Sequence, residues 1–232
     1  MMKCTNCGYE GDGTYCAGCG KEYAVKRITI NSLIHEVIHT FTHFDKGFGY
    51  TLKQLALHPG LMQRNYLEGE RSRHQKPFSM FFICATITGI ALYWLIKPSL
   101  TPENHFDEMH EHFLRHYFVF LQAALLPIYA FSTWIFFRSA GLNYAETLVL
   151  FCYALSFMLL LTIPVNLLNF KPNHINTAWI EIPLFLFYIV WTNTVFFKNQ
   201  PPWQVIIKSI LNLILCYWLS NFLQNQLIHL LM

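Results

Sequence analysis

Four cysteines near the N-terminus carry the clearest chemical pattern in the chain. They form two Cys-x-x-Cys pairs, Cys4 with Cys7 and Cys16 with Cys19, eight residues apart, and a glycine follows each pair. A Cys-x-x-Cys turn brings two thiolates to one metal ion, and the following glycine permits the tight turn that points backbone N–H groups at sulfur. The spacing therefore predicts a closed, tetrahedral four-sulfur site for structural zinc.

Iron, a pair of disulfides and a redox-active Cys-x-x-Cys are the alternatives to zinc. Disulfides conflict with the cytosolic position that the charge distribution predicts, because cytosolic thiols stay reduced. A thioredoxin-like site would require a βαβ context, which the sequence lacks. A segment this short has no core of its own, so the metal would supply its folding energy. A four-cysteine site also has no open coordination position, which disfavours a catalytic metal.

The composition indicates an all-α membrane protein. Of the 232 residues, 54% are apolar and only 12% are charged, whereas soluble domains carry about 25% charged residues. We predict five transmembrane helices, at residues 78–96, 117–137, 147–169, 177–197 and 203–223. Each has about 20 residues, which matches a hydrocarbon core of about 30 Å.

The distribution of Lys and Arg predicts the orientation. Ten of the sixteen lie in the first 77 residues, so the positive-inside rule predicts a cytosolic N-terminus and an outer C-terminus. Four or six spans are the alternatives, since the C-terminal segment gives no orientation signal. We therefore divide the chain into a zinc ribbon (1–23), a cytosolic amphipathic helical segment (24–77) and a transmembrane bundle (78–232).

Short helices are predicted in the segment before the first span. Apolar residues recur at helical spacing over 31–44, again from Phe48 to Leu55, and a third helix is expected over 61–67. These helices are too short to span a bilayer, so we expect them on the cytosolic interface or packed on each other beneath the bundle. Anionic lipid is a further expected partner, since it attracts a basic residue by about 1 kcal/mol. Four cations precede the first span: Arg64, Arg71, Arg73 and Lys76.

Other groups of acidic, histidine and polar residues have simple structural explanations. Glu108, His112 and His116 share a helical face in the outer segment 103–116 and could bind a metal, but a solvated charged loop explains them as well. A second stripe, formed by His35, His39 and His43, could bind metal or sense pH, but the solvated face of an amphipathic helix explains it as well. Polar residues also occur within the spans, where asparagine commonly joins helices: Asn166, Asn169, Glu181, Asn193, Lys208 and Asn212. Glu181 lies near the outer end of its span and Lys208 near the inner end of its own, so we expect no direct ion pair between them.

Several short strings resemble an uncharacterised family of bacterial membrane proteins, a domain of unknown function with an N-terminal zinc ribbon. The resemblance covers about residues 1–85 and implies a bacterial inner membrane and a structural zinc, with no known activity. His58 departs slightly from the pattern, which has Arg before the proline. We hypothesise that residues 59–77 are the functional part of the family. The strings that carry the resemblance are Cys4–Cys19, Arg27-Ile-Thr-Ile, Phe44-Asp45-Lys46-Gly47-Phe48, Thr51-Leu52, Pro59-Gly60, Tyr66-Leu67-Glu68-Gly69-Glu70-Arg71 and Pro77-Phe78.

These observations lead to three functional hypotheses. The first is a membrane-anchored adaptor or assembly factor that binds a protein partner through its zinc ribbon and helices. The second is a small transporter, channel or lipid-handling bundle, and the third is a membrane enzyme acting at the outer segment 103–116. The sequence has no nucleophile elbow and no phosphate-binding glycine loop, which favours a non-enzymatic role. A net charge of +3 gives no reason to expect nucleic acid.

Overall fold

The structure, a computed structural model, describes residues 2–4, 7–19, 22–24, 27–34, 47–95, 105–167 and 177–231. Of residues 105–116, 178 and 227–231 only the backbone is described. The predicted stripe of His35, His39 and His43 lies outside the described residues. The predicted face of Glu108, His112 and His116 lies on a helix, but its side chains are outside the description.

The described residues are mostly helical. Residues 30–34 begin a helical segment, and a 3₁₀ turn spans Arg138–Ala140. The named elements are β1 (Met2–Lys3), β2 (Glu10–Gly11), α1 (Phe48–Leu57), α2 (Pro59–Leu67), α3 (Pro77–Leu95), α4 (His105–Phe136), α5 (Tyr144–Leu167), α6 (Ala178–Phe196) and α7 (Pro202–Leu231). The antiparallel strands β1 and β2 pair Met2 with Gly11 and Lys3 with Glu10.

Helices α3 to α7 are each long and apolar enough to cross a membrane. The prediction of five such helices in a mainly helical chain is confirmed. The two largest differences from the predicted bounds have a physical reason. Helix α4 begins at His105, because the polar outer residues continue the apolar helix. Helix α7 continues to Leu231, past the predicted end at residue 223, because no Pro or Gly interrupts the chain there.

Helix α5 is the centre of the bundle. It packs against α3, α4 and α6, and also against the short helices α1 and α2. Its apolar stretch is 67% buried within the protein, whereas that of α6 is only 17% buried. Pro127, Pro164 and Pro183 lie inside α4, α5 and α6, as membrane helices tolerate.

Helices α1 and α2 lie against the spans at one end of the bundle. We call this the basal end and define it by residues 136–144 and 196–202, where α4 and α6 end and α5 and α7 begin. Thr51 and Leu55 of α1 have no exposed surface, and α2 packs mainly on α6. The amphipathic character of these helices stays a prediction, but protein rather than lipid covers these buried residues.

Candidate functional site

The four predicted cysteine ligands come together at the N-terminus. The Sγ atoms of Cys4 and Cys19 lie 3.6 Å apart, those of Cys7 and Cys16 lie 3.4 Å apart, and all four lie within 4.8 Å of one another. A tetrahedral site with metal–sulfur bonds of about 2.3 Å places sulfur atoms about 3.8 Å apart. All four thiols are free. The cluster therefore fits one tetrahedral metal ion and contains no disulfide.

The first Cys-x-x-Cys turn has the predicted backbone geometry. Gly8 has a φ of 76°, a left-handed conformation that glycine adopts without steric cost. The Gly8 N–H donates to the Cys4 carbonyl oxygen at 2.9 Å, and the Cys4 N–H donates to the Tyr9 carbonyl oxygen at 2.8 Å. The antiparallel pairing of β1 with β2 joins the chain segments on the two sides of this turn. Cys4 is buried, whereas Cys7 is exposed.

Proximity of the sulfur atoms shifts the thiol pKa values in opposite directions. A hydrogen bond with the Tyr9 backbone alone would lower the pKa of Cys7, but the thiols around it, Cys16 first, raise that pKa to about 12. Burial raises the pKa of Cys16, but hydrogen bonds from Cys7 and from the Gly18 backbone outweigh burial and lower it. Deprotonation of all four thiols would place four negative charges close together, which is electrostatically unfavourable. A bound cation would neutralise this repulsion.

An ion pair joins the residues after the cysteine cluster to the helix bundle. Arg27 donates from Nε to Glu146 Oε1 at 2.8 Å and from Nη2 to Glu146 Oε2 at 2.6 Å. The same Nη2 atom donates to the Gly141 carbonyl oxygen at 3.0 Å. Asn143 adds a bond from its Nδ2 to the Ile28 carbonyl oxygen at 3.0 Å. The N-terminal segment is therefore fastened to the start of α5.

Glu146 is not among the predicted site residues, although its sequence context contains a local signal. Asn143 Oδ1 accepts from the Glu146 N–H at 2.8 Å, and Glu146 Oε2 accepts from the Asn143 N–H at 2.9 Å. This reciprocal arrangement is a capping box at the N-terminus of α5. The Asn-x-x-Glu spacing before an apolar run predicts such a cap, but not its distant partner, Arg27.

Helix α2 is attached to both α5 and α6. Gln63 Nε2 lies 3.4 Å from the Leu150 carbonyl oxygen, about 9 Å along α5 from its start at 1.5 Å per residue. Arg64 donates to the carbonyl oxygens of Val195 and Phe196 in the last turn of α6. A Cβ atom at Gly60 would lie 2.8 Å from the Val195 Cβ, so only glycine permits this close approach.

The connection between α2 and α3 is buried and hydrogen-bonded. Gln75 has no exposed surface; its N–H donates to Thr51 Oγ1 at 2.8 Å, and its carbonyl oxygen accepts from Tyr153 Oη at 2.6 Å. Arg71 Nε donates to the Tyr66 carbonyl oxygen at 3.1 Å, and its guanidinium lies over the Tyr66 ring. Arg71 therefore holds the turn after α2 against Tyr66, and the Tyr66 ring packs edge-on against Tyr153 of α5, with 5.2 Å between the ring centroids.

The four cations expected to meet anionic lipid differ in their surroundings. Arg64 and Arg71 both donate to backbone carbonyl groups, as described above. Arg73 and Lys76 are exposed. This leaves Arg73 and Lys76 as the two side chains that are most accessible to a lipid headgroup.

Several polar residues of the spans join neighbouring helices. Asn212 of α7 accepts from Ser132 Oγ at 2.6 Å and donates to Thr133 Oγ1 at 2.9 Å. Asn193 Nδ2 donates to Ser209 Oγ at 2.9 Å. Such bonds satisfy polar groups where water is absent.

The ionisable residues of the spans lie at opposite ends. Glu181 Oε1 accepts from Asn166 Nδ2 at 2.8 Å, which links α6 to α5. Lys208 Nζ lies 3.4 Å from Ser139 Oγ at the basal end. Asn169 is outside the described residues.

Comparison with known proteins relates one part of the chain to a family. Residues 45–89 match a family of proteins of unknown function (DUF3667). The match supports the resemblance to an uncharacterised family and covers less than half of the chain. No curated protein and no solved structure matches the chain. The DUF3667 match contains α1, α2 and the first turns of α3, so it coincides with the segment packed against α5 and α6.

Proposed function

We propose that this chain is a membrane-anchored adaptor or assembly factor, which binds a protein partner through a zinc ribbon. The observation that carries the proposal is the pair of tyrosines beside the cysteine cluster. Tyr9 is 50% exposed and Tyr15 is 63% exposed. Tyrosine is enriched at protein interfaces, where its ring supplies contact area and its hydroxyl group a hydrogen bond.

Zinc is the metal that we propose for the four-cysteine cluster. Four thiolates in tetrahedral geometry are the usual ligand set of structural zinc, and they leave no position open for catalysis. In that role the metal would hold the two turns, and with them Tyr9 and Tyr15, in a fixed arrangement. A rigid surface loses less conformational entropy on binding, which favours recognition of a partner.

The proposed location is a bacterial inner membrane with the basal end facing the cytosol. Four cationic side chains lie at the basal end: Arg27, Arg64, Arg138 and Lys198. Positive charge at one end is what the positive-inside rule associates with the cytosol. Anionic lipid would be a second partner there, and the exposed Arg73 and Lys76 support that assignment.

The adaptor proposal is tested by purifying the tagged full chain from native membranes in mild detergent. We expect a defined protein to co-purify with the wild type and to be lost from a Tyr9→Ala/Tyr15→Ala variant that keeps its metal. Tyr217→Ala is the matched control, because Tyr217 is 62% exposed and lies on α7, far from the cluster in sequence. Equal recovery of partner proteins with the wild type and with the Tyr9/Tyr15 variant would exclude binding through this surface.

A transporter, channel or lipid-handling bundle is the second candidate. The hydrogen bond between Asn166 and Glu181 supports it, because an ionisable residue within a membrane span is a functional candidate by default. Loss of transport in a Glu181→Gln variant that is expressed normally would favour this candidate. An enzyme acting at residues 103–116 stays a prediction, because the side chains of this segment lie outside the described residues.

A further inference from the structure

A cavity of about 470 Å³ opens at the basal end of the bundle. It lies between α2, the 3₁₀ turn after α4 and the loop that joins α6 to α7. Arg64, Lys198, Ser139 and Gln200 line its polar side, and apolar residues such as Leu67 and Phe197 line the rest. The cavity is thus amphipathic and lies where the spans end.

The charges around the cavity favour an anionic ligand. Arg27 also lines it, but its charge is balanced by Glu146 through the two hydrogen bonds described above. Arg64 is bonded to neutral carbonyl groups, so no acidic partner compensates its charge through those bonds. Among the residues that the structure describes, Lys198 has neither a hydrogen bond nor an ion pair. One further carboxylate, that of Glu68, lies in the lining.

Two polar groups at the cavity add hydrogen-bonding capacity. Gln200 Oε1 is buried and has no hydrogen-bond partner among the described residues. Ser139 Oγ lies 3.4 Å from Gln200 Nε2 and 3.4 Å from Lys208 Nζ, so a further cation borders the lining. A buried acceptor without a partner is costly, and a hydroxyl group on a ligand would satisfy it.

We propose that this cavity binds a phosphate group, with Arg64 and Lys198 as its charge partners and Ser139 as a hydrogen-bond partner. Arginine and lysine are the common phosphate-binding side chains. The proposal does not depend on the adaptor function, because it involves neither the cysteines nor Tyr9 and Tyr15. The phosphate can belong to the headgroup of an anionic lipid or to a soluble ion. The apolar lining of the cavity suits the glycerol portion of a lipid.

The experiment compares the full-length wild type with Lys198→Gln and Lys198→Glu. Because Lys198 has no hydrogen bond or ion pair among the described residues, we expect both variants to keep the wild-type melting temperature. Lys53→Gln is the matched control, since Lys53 is exposed on α1 and does not line the cavity. Melting curves in detergent verify that all four proteins are folded before binding is measured.

The first measurement addresses lipid. The proteins are placed in phosphatidylcholine nanodiscs with a minor fraction of phosphatidylglycerol, and retained phosphatidylglycerol is counted by native mass spectrometry. We expect about fivefold weaker retention for Lys198→Gln than for the wild type, a larger loss for Lys198→Glu and none for Lys53→Gln.

The second measurement addresses free phosphate. Broadening of the ³¹P signal of inorganic phosphate is recorded with the same proteins in pure phosphatidylcholine nanodiscs. A Lys198-dependent effect in the lipid measurement alone identifies a lipid headgroup, and one in the second measurement identifies a soluble phosphate. If both Lys198 variants behave as the wild type does in both measurements, the cavity is not a phosphate site and the proposal is overturned.

Discussion

Arg27 and Glu146 form an ion pair across 119 positions of the sequence, with 2.6 Å between Nη2 and Oε2. The two partners differ in environment, because the Glu146 side chain is 8% exposed and that of Arg27 is 63% exposed. Glu146 is therefore the partner that loses hydration in the folded protein. The pair fastens the segment after the cysteine cluster to α5, which is the most enclosed helix of the bundle.

This asymmetry predicts an order of stability among variants. Arg27→Ala leaves a buried carboxylate without its cation, which is more destabilising than removing both charges. We expect Arg27→Ala to lower the melting temperature in detergent by roughly 2–4 °C and Arg27→Ala/Glu146→Gln to lower it less. Proteolytic removal of the N-terminal segment should accelerate in the same order. If the changes in melting temperature for Arg27→Ala and Glu146→Gln alone add up to that of the double variant, the two residues are not coupled.

Gly60 predicts a second pair of variants. A Cβ atom there would lie 2.8 Å from the Val195 Cβ, so Gly60→Ala should push α2 away from α6. The expected loss of stability is about 1–3 kcal/mol, as for overpacked cores. Reversible denaturant titration of the purified protein measures the change.

Gly49 provides the control for this substitution. It lies in α1, and a Cβ atom at Gly49 would meet no other atom within 4 Å. Gly49→Ala should therefore stabilise the protein through helix propensity, by less than the roughly 0.5–1 kcal/mol of a helix interior, because Gly49 lies in the first turn of α1. Opposite signs for the same chemical change would localise the close helix–helix contact to Gly60, whereas equal signs would contradict the described packing of α2 on α6.

The cysteine cluster and the spans follow from local sequence patterns, and for this reason they were predictable. Metal-ligand spacing is fixed by the geometry of a short turn. The length of an apolar run is fixed by the thickness of the bilayer. Neither property depends on residues elsewhere in the chain, so Cys4 to Cys19 and the five long helices could be found without the structure.

The packing of α1 and α2 could not be predicted in the same way. An apolar stripe such as that of Phe48 and Leu55 can be covered by lipid or by another helix, and both environments are apolar. The bonds that decide between them are distant in sequence, such as Gln63 with Leu150 and Tyr188 Oη with the Leu55 carbonyl oxygen at 3.3 Å. Helical periodicity contains no information about such partners.

His74 predicts a dependence of stability on pH. Its imidazole is buried against the rings of Tyr50 and Tyr66, and its Nδ1 atom has no hydrogen-bond partner among the described residues. Burial lowers the pKa of His74, and the nearby Glu70 carboxylate opposes this shift only in part. The folded protein therefore favours the neutral imidazole more than the unfolded chain does.

The sign of the effect follows from this lowered pKa. The stabilisation is complete above the unfolded pKa of about 6.5 and is lost as the pH falls through the folded pKa. A His74→Phe variant cannot be protonated, so its melting temperature should fall less than that of the wild type between pH 7 and pH 5. Parallel curves for the two proteins over this range would show that His74 does not contribute.

Metal content is the final prediction. The wild type should contain about one zinc ion per chain, because four thiolates complete a tetrahedral site. Cys4→Ser/Cys7→Ser removes two of the four ligands and should abolish stoichiometric zinc. The spans should keep their helical content, since they make their own core around α5. Elemental analysis by mass spectrometry and far-UV circular dichroism of the same samples measure both quantities.

Cys84→Ala separates metal binding from a general effect of losing a thiol. Cys84 is fully buried in α3, far in sequence from the cluster, so this variant should retain its zinc. Iron instead of zinc in the wild type would support the four-cysteine metal site but contradict the assignment of zinc. Equal zinc in the wild type and in the Cys4/Cys7 variant would place the ion elsewhere, and the N-terminal turns would then need another source of folding energy.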